Sequence, residues 1–372
     1  FAYVCKTKSV TQNEQTPSAS PHSAAKHITS HDVAARAGVS QSAVSRCFTP
    51  GASISSETRE RVLRAAAEMG YRPNVHARNL ITGRSRMVGV VLAHLDNLFY
   101  PRFLQLLTER LQTMDMQVLL FVADGNDQVE LMSQLLNYRV DGIVLAATTL
   151  HAELAKACTQ AGIPVVLFNR VPSHELDRAF HSVQTDQEES MRLMTSMLIR
   201  HGHQRVAYLA GSLASSTNQA RERGCRLALQ EAGQSLFAYG VGDYQEHAAI
   251  EVVRQWYGTR GQVKPLSACP DAIVVADDSM ALAVMDTLRH ELGIDVPKQV
   301  SVVGFDDVPQ AAWPAYELTT CAQPLPEMIE AVVALLSKQL QQDEPVGKAD
   351  ASGQAVVLPA SIRIRGSARV KP

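Results

Sequence analysis

Several features that would place a protein outside the cell or in a membrane are missing from this chain of 372 residues. Its six cysteines, at 5, 47, 158, 225, 269 and 321, include no close pair and no histidine at metal-ligand spacing. Neither a disulfide framework nor a metal site is therefore expected, and buried free thiols in a reducing cytoplasm are. No apolar run reaches the roughly 18 residues that span a bilayer, and residues 1–26 carry no basic-then-apolar leader, so neither export nor membrane insertion is expected. A Gly-rich dinucleotide turn, a phosphate loop and a Gly-x-Ser-x-Gly elbow are also absent, and no histidine stands in a triad context. The expectation is a protein that is not an enzyme and holds no cofactor. What is present is 46% hydrophobic content, enough for a large core divided over two or three domains.

The most informative stretch runs from Thr29 to Arg86. Small and apolar residues at Val33, Ala34, Ala37, Val39 and Val44 predict a helix, a tight turn and a second helix. Thr29 or Ser30 caps the first helix, Gly38 ends it through the positive φ open to glycine, and Ser40 starts the second. In such a helix-turn-helix the second helix enters the major groove, which here presents Gln41, Ser42, Ser45 and Arg46. Glutamine suits adenine edges, arginine guanine edges, and serine either bases or phosphates. A third helix from Glu57 to Met69, capped by Ser55 or Ser56, turns Val62, Ala65, Ala66 and Met69 inward. The same unit has a second use, as a small bundle packed on a neighbouring domain.

Gly70-Tyr71-Arg72-Pro73-Asn74 stops the third helix, and the segment from Val75 to Gly83 has length for about two turns. That is too short to hold a helix alone in water. It is either a plain linker or a hinge helix that folds against a second copy and a DNA groove, with Leu80 and Ile81 as wedges between base steps and Arg78 near phosphate. Charge divides the chain in the same way: the first 86 residues hold 12 Lys and Arg against 5 Asp and Glu, and the remainder 23 against 32. A basic head on an acidic body suits phosphate contact by one end only. Residues 1–27, rich in Ser, Thr, Gln, Ala and Pro, read as a disordered tail, and a start at Phe1 suggests that the natural beginning is missing or altered.

From Arg86 onward, apolar runs alternate with helical patterns. Met87–Ala93, Gln117–Val122, Gly142–Ala146 and Pro164–Phe168 have the character of buried parallel strands, separated by helices over Phe103–Met114, Glu130–Tyr138 and His151–Ala161. A second series follows at Arg205–Ala210, Ala272–Ala276 and Val300–Gly304. The predicted body, 86–366, is two doubly wound α/β lobes, 86–185 with 322–348 and 186–321 with 352–366. In open parallel sheets ligands lie beyond the carboxyl ends of the strands, which directs attention to Asn97 and Phe99, to Asn169 and Arg170, to Asp277-Asp278 and to Asp306-Asp307. The carboxylates accept ligand hydroxyls or cap the following helices; for Asp278 the ligand reading leads, for Asp306 and Asp307 the capping one. Arg221 and Tyr244 stand where a second lobe would close on a ligand. In His201-Gly202-His203 the glycine ends a helix, so no metal is expected there, and Cys47 is either a redox handle or core.

The ordered set Asp32-Val33-Ala34, Ala37-Gly38-Val39-Ser40, Val44-Ser45-Arg46, Thr58-Arg59, Tyr71-Arg72-Pro73-Asn74, Leu80 and Gly83 closely resembles the LacI/GalR family of bacterial transcription regulators. The resemblance continues through Asn97–Tyr100, Val140–Ile143, Asn169-Arg170, Gly202-His203, Arg221, Ala276–Asp278 and Val303–Asp307, covering roughly residues 28–366. It implies a homodimer whose heads read a near-palindromic double-stranded operator, with Thr29, Gln41, Ser42, Ser45, Arg46, Thr58, Asn74, Arg78 and Leu80 on the DNA. It also implies a body like a type I periplasmic binding protein that holds an effector through Asn97, Phe99, Asn169, Arg170, Arg221, Tyr244 and Asp278. The effector expected is a sugar, sugar acid or sugar phosphate. Gln41, Ser42 and Ala43 at the start of the recognition helix, and Cys47 and Thr49 after Arg46, depart from the common pattern, so no operator carries over. The family's tetramerising C-terminal heptads are absent, which favours a dimer.

Overall fold

The computed structural model describes residues 28–49, 51–72, 84–93, 95, 97–123, 128–146, 157–158, 160–170, 180–341 and 353–370. The chain divides into two compact units, Phe1–Ile81 and Thr82–Pro372. The predicted tail and the hinge positions Asn74, Arg78 and Leu80 lie outside the described residues.

In the first unit, helices α1 (Ser30–Ala37), α2 (Gln41–Cys47) and α3 (Ser56–Met69) enclose a core of Val33, Ala34, Ala37, Val44, Cys47, Val62, Ala65 and Ala66. Each helix begins on the side chain that local chemistry favours. Thr29 accepts from the Asp32 amide while the Asp32 carboxylate accepts from the Thr29 amide, a reciprocal capping box; Ser40 and Ser55 accept from the amides of Ala43 and Thr58. Gly38 ends α1 at φ 64°, the left-handed conformation that glycine takes without steric cost.

The second unit holds two six-stranded sheets. One runs β13-β5-β4-β3-β1-β2, with β1 (Met87–Leu92), β2 (Gln117–Val122), β3 (Gly142–Ala146), β4 (Val165–Phe168), β5 (His181–Thr185) and β13 (Ala355–Leu358). Its pairings are all parallel. The other runs β14-β12-β11-β10-β6-β7, with β6 (Val206–Ala210), β7 (Ala238–Val241), β10 (Ala272–Val275), β11 (Ser301–Asp306), β12 (Thr319–Ala322) and β14 (Ser361–Arg363); only the β12–β14 pair is antiparallel. Between β7 and β10 the chain adds a two-residue hairpin, β8 (Gly258–Thr259) with β9 (Gln262–Val263). The helices that matter below are α4 (Phe99–Gln112), α5 (Gln128–Asn137), α6 (Gln187–Arg200), α7 (Ser216–Glu231), α8 (Glu246–Tyr257), α9 (Asp278–Asp286) and α10 (Leu325–Gln341).

Runs such as Val88–Leu92, Gly142–Ala146 and Ser301–Asp306 are buried along their whole length, as strands covered by helices on both faces require. The chain crosses between the lobes after β5, after β12 and between β13 and β14. The last crossing differs from the predicted boundary, which assigned all of 352–366 to the second lobe: Ala355–Leu358 pair with β5 of the first. These half-exposed strand residues carry the same alternation whichever sheet edge they join, so their pattern did not distinguish the two. Helices α6 and α7 pack closely because Gly224 has no side chain: a Cβ there would lie 2.0 Å from the Glu188 carbonyl oxygen. Among the described residues, no helix is long and apolar enough to cross a membrane.

Candidate DNA-reading head and effector cleft

The exposed face of α2 is formed by Gln41, Ser42, Ser45 and Arg46, whereas Ala43, Val44 and Cys47 point into the core. Helix α3 braces both ends of the turn and the reading helix. Arg61 donates to the carbonyls of Ala37 at 2.7 Å and Gly38 at 2.8 Å, and Arg59 to that of Cys47 at 3.0 Å, which satisfies helix-end acceptors that would otherwise lack partners. Cys47 is buried with its thiol on the Arg59 carbonyl, the core reading rather than the redox one. Thr29, taken above as a DNA contact, donates its hydroxyl to Asp32 at 2.7 Å, and Thr58 accepts from the Ser55 hydroxyl at 2.8 Å.

In the body, the carboxyl ends of the strands bring most of the predicted ligand residues together around Arg221. This guanidinium is 3% exposed. It donates Nε to Gln187 Oε1 at 2.7 Å, one amino group to the Ala276 carbonyl and the other to Asp306 Oδ1 at 3.4 Å, and it lies 3.8 Å over the Phe305 ring. Gln187 in turn donates to Asn169 Oδ1 at 2.9 Å. Asn169 holds φ 51° at the end of β4, a conformation asparagine tolerates better than most residues, with half-buried Arg170 beyond it. The chain of bonds Asn169–Gln187–Arg221 thus joins one lobe to the other through the start of α6.

Asn97 and Phe99 enter from the first lobe. Asn97 donates to Asp277 Oδ2 of the second lobe at 3.0 Å and accepts from the Phe99 amide at 3.0 Å. Phe99 stacks on Phe168 with ring centres 6.4 Å apart, giving the first-lobe wall an aromatic floor. Tyr244 stands at φ 59° with its hydroxyl 3.3 Å from Ser215 Oγ. Its ring covers Gly211, where a Cβ would come within 2.2 Å of it.

Asp278 is fully buried and accepts from the Val308 amide at 2.9 Å and the Thr320 hydroxyl at 2.6 Å. Both its oxygens tie α9 to the β11–β12 layer. Asp277 caps α9 through the Met280 amide at 3.0 Å. Asp306 instead accepts from Gln323 at 2.6 Å as well as from Arg221, and Gln323 accepts from Thr185 at 2.8 Å. Of Asp278 and Asp306, it is Asp306 that pairs with Arg221. Asp307 pairs with Arg365 at 2.6 Å.

Burial pushes the carboxyls of Asp277, Asp278 and Asp306 up to about 7, because a buried charge loses its hydration. Arg221 opposes this shift for Asp277 and Asp306. For Arg221 itself burial works against the charge, but Asp306, Tyr244 and Tyr208 outweigh it and the pKa is raised. The Tyr100 phenol is likewise raised, by burial and then by the charge of Asp306. Tyr100, Gln187 and Gln323 belong to this cluster and were not singled out from the sequence. Tyr100 had a signal in its aromatic neighbour Phe99; the two glutamines had none, since nothing in their spacing marks a helix start or a crossover as ligand-facing.

A separate surface groove of about 380 Å³ beside the start of α6 is lined by Gln184, Glu188, Arg192, Arg223 and Val357 among others. It meets the cluster at Gln187 and at Thr185, the donor to Gln323. His203, the metal candidate set aside above, is buried between the Leu198 carbonyl and Ser301 Oγ, both at 2.8 Å. No group able to hold a metal ion occurs among the described residues.

Residues 29–74 match the profile of the bacterial regulatory proteins, lacI family, and residues 195–368 that of the periplasmic binding protein-like domain. The HTH-type transcriptional regulator AscG of Escherichia coli (strain K12) is 32% identical over 82% of this chain and 90% of its own length. The HTH-type transcriptional regulator GalS of Salmonella typhimurium is 31% identical over 90% and 95%. Among solved structures, the lac repressor dimer bound to operator and the anti-inducer ONPF superposes with a TM-score of 0.78 at 27% identity, over 92% of this chain and 99% of that one.

Proposed function

This chain belongs to the lacI family of bacterial regulatory proteins and is a ligand-responsive, DNA-binding transcriptional regulator rather than an enzyme; from that premise we propose that it is a cytoplasmic, homodimeric repressor of a sugar or sugar-acid utilisation operon. In this reading Gln41, Ser42, Ser45 and Arg46 meet the operator, and residues 74–85 fold as paired hinge helices when two copies bind. An effector between the lobes meets Asn97, Phe99, Asn169, Arg170, Arg221, Tyr244 and Asp278.

The observation that carries the proposal is the Asn169–Gln187–Arg221 bridge. A ligand that competes for any of its three members changes how the lobes meet, and lobe closure then sets whether the hinge segments come together, an order–disorder switch. Arg221 donates to three partners, so sugar hydroxyls suit its remaining N–H groups, and an acid or phosphate group suits Arg170 together with Arg221. The edge strand β2 supports the dimer: Leu120 and Val122 are 40% and 42% exposed, and an apolar sheet edge calls for a cover.

Selection from random duplex DNA with the full chain tests the reading. Enrichment of one palindrome is expected, and a sugar that weakens binding to it must itself bind the DNA complex more weakly by the same factor. Equal sugar affinity with and without operator refutes the switch.

A further inference from the structure

The reading face of α2 is not a set of free side chains. Its first residue, Gln41, donates Nε2 to Ser30 Oγ at 3.1 Å, across from one helix to the next. Ser30 is itself held in place. It opens α1 directly after the Thr29–Asp32 capping box, whose bonds of 2.8 and 3.4 Å, with a further hydroxyl–carboxylate bond of 2.7 Å, fix the first turn. The far end of α1 is clamped by Arg61 and the far end of α2 by Arg59. The distance between the Ser30 hydroxyl and the Gln41 backbone is therefore set by three braced helices, not by loose surface chain.

A glutamine amide has two N–H donors and one acceptor. With one donor turned back to Ser30, one donor and the acceptor remain on the outward side. That is the pair which matches the N7 and N6 edge of adenine. A glutamine without this tether rotates about three bonds and presents either two donors or the mixed pair, and it must be ordered when DNA binds.

We infer that Ser30 is a specificity-determining residue of this regulator: it acts through Gln41, holding the carboxamide in the orientation that reads an adenine, without touching a base itself. The inference rests on DNA reading by α2. The neighbouring contacts have the same character, since Ser42 Oγ lies 2.9 Å from Ser40 Oγ and Arg46 Nε donates to the Ser42 carbonyl at 3.4 Å, but the Ser30 bond holds a side chain of the reading face from another helix.

The test is selection from random duplex DNA, followed by binding to the enriched site and its single-base variants, with the full-length wild type and with Ser30→Ala, Ser30→Thr and Gln41→Ala. Gln41→Ala is expected to lose preference at one base pair in each half-site. Ser30→Ala should weaken preference at that same base pair by about three- to tenfold, the range of ordering one side chain, while preferences elsewhere and the melting temperature stay as in the wild type. Ser30→Thr, which keeps the hydroxyl, should retain the wild-type pattern. A Ser30→Ala pattern identical to wild type, or one degraded evenly across all positions, overturns the inference. Failure of the wild type to enrich any site would overturn the DNA-reading premise instead. The tether is then read without DNA: in the full chain labelled with 15N-glutamine, the Gln41 side-chain amide should become more mobile in Ser30→Ala, and unchanged relaxation refutes the link.

Discussion

Replacing Arg221 by Met removes the centre of the buried bridge while keeping much of the side chain's length. The variant loses the bonds to Gln187 Oε1, the Ala276 carbonyl and Asp306, and the stacking over Phe305. Removing one partner of a buried ion pair costs about 3–5 kcal/mol, because the other charge is left without compensation. Part of that cost depends on pH, with a sign fixed by Asp306. Its carboxyl is held at about 7 by burial against the opposing charge of Arg221. A raised carboxyl contributes stability that is complete below its unfolded value of about 3.9 and is lost as pH rises through the folded value. Without Arg221 the folded value moves above about 7. Between the two values the folded variant keeps a proton that the wild type has released, so it escapes part of the buried-charge cost by staying neutral. The variant's deficit therefore grows with rising pH through that window and levels off once both forms are ionised, at a slope of up to about 1.4 kcal/mol per pH unit for each carboxyl that Arg221 opposes, Asp306 and in the same direction Asp277. Urea unfolding of both proteins near pH 6 and near pH 9, followed by fluorescence, reads the difference. A deficit that is the same at both pH values, or below about 1 kcal/mol throughout, refutes the claim that Arg221 stabilises this cleft as a charge partner of Asp306.

Three other perturbations test separate steps. Gly224→Ala places a Cβ 2.0 Å from the Glu188 carbonyl and should cost at least about 2 kcal/mol by forcing α6 and α7 apart; an unchanged melting temperature would contradict the close approach. Thr29→Ala removes the capping box of α1 and should cost about 1 kcal/mol of head stability, seen as faster amide exchange at Val33 and Ala34 with the body unaffected. Leu120→Glu sets a charge on the exposed edge of β2 and should shift sedimentation toward a monomer, whereas a dimer of undiminished stability would place the interface elsewhere.

The head was legible residue by residue. Its helix starts and stops depend on short-range chemistry, a threonine or serine one residue before a helix and a glycine after it, and these determine the same local geometry wherever the helix is placed. The central parallel strands of the body were equally plain, because a strand covered on both faces is a continuous apolar run. Strands β5, β7, β12, β13 and β14, three of them at sheet edges, were not predicted. They are short or half-exposed, and the same pattern fits a loop or either sheet.

The cleft separates the two kinds of information more sharply. Asn97, Asn169 and Arg221 stood out because they follow strand ends or start the helices beyond them, a position the βα order determines without coordinates. The work each side chain does was decided only when the lobes came together. Asp278 spends both oxygens on Val308 and Thr320, and Asp306 meets Arg221 across 85 residues of chain. Gln187 became the bridge because its helix starts at a crossover. The sequence by itself determined the head, the βα order of the body and the neighbourhood of the site, since each of these follows from interactions between residues close in the chain. Tertiary structure decided which carboxylate faces the arginine, because burial and charge pairing depend on distances between segments that no local pattern encodes.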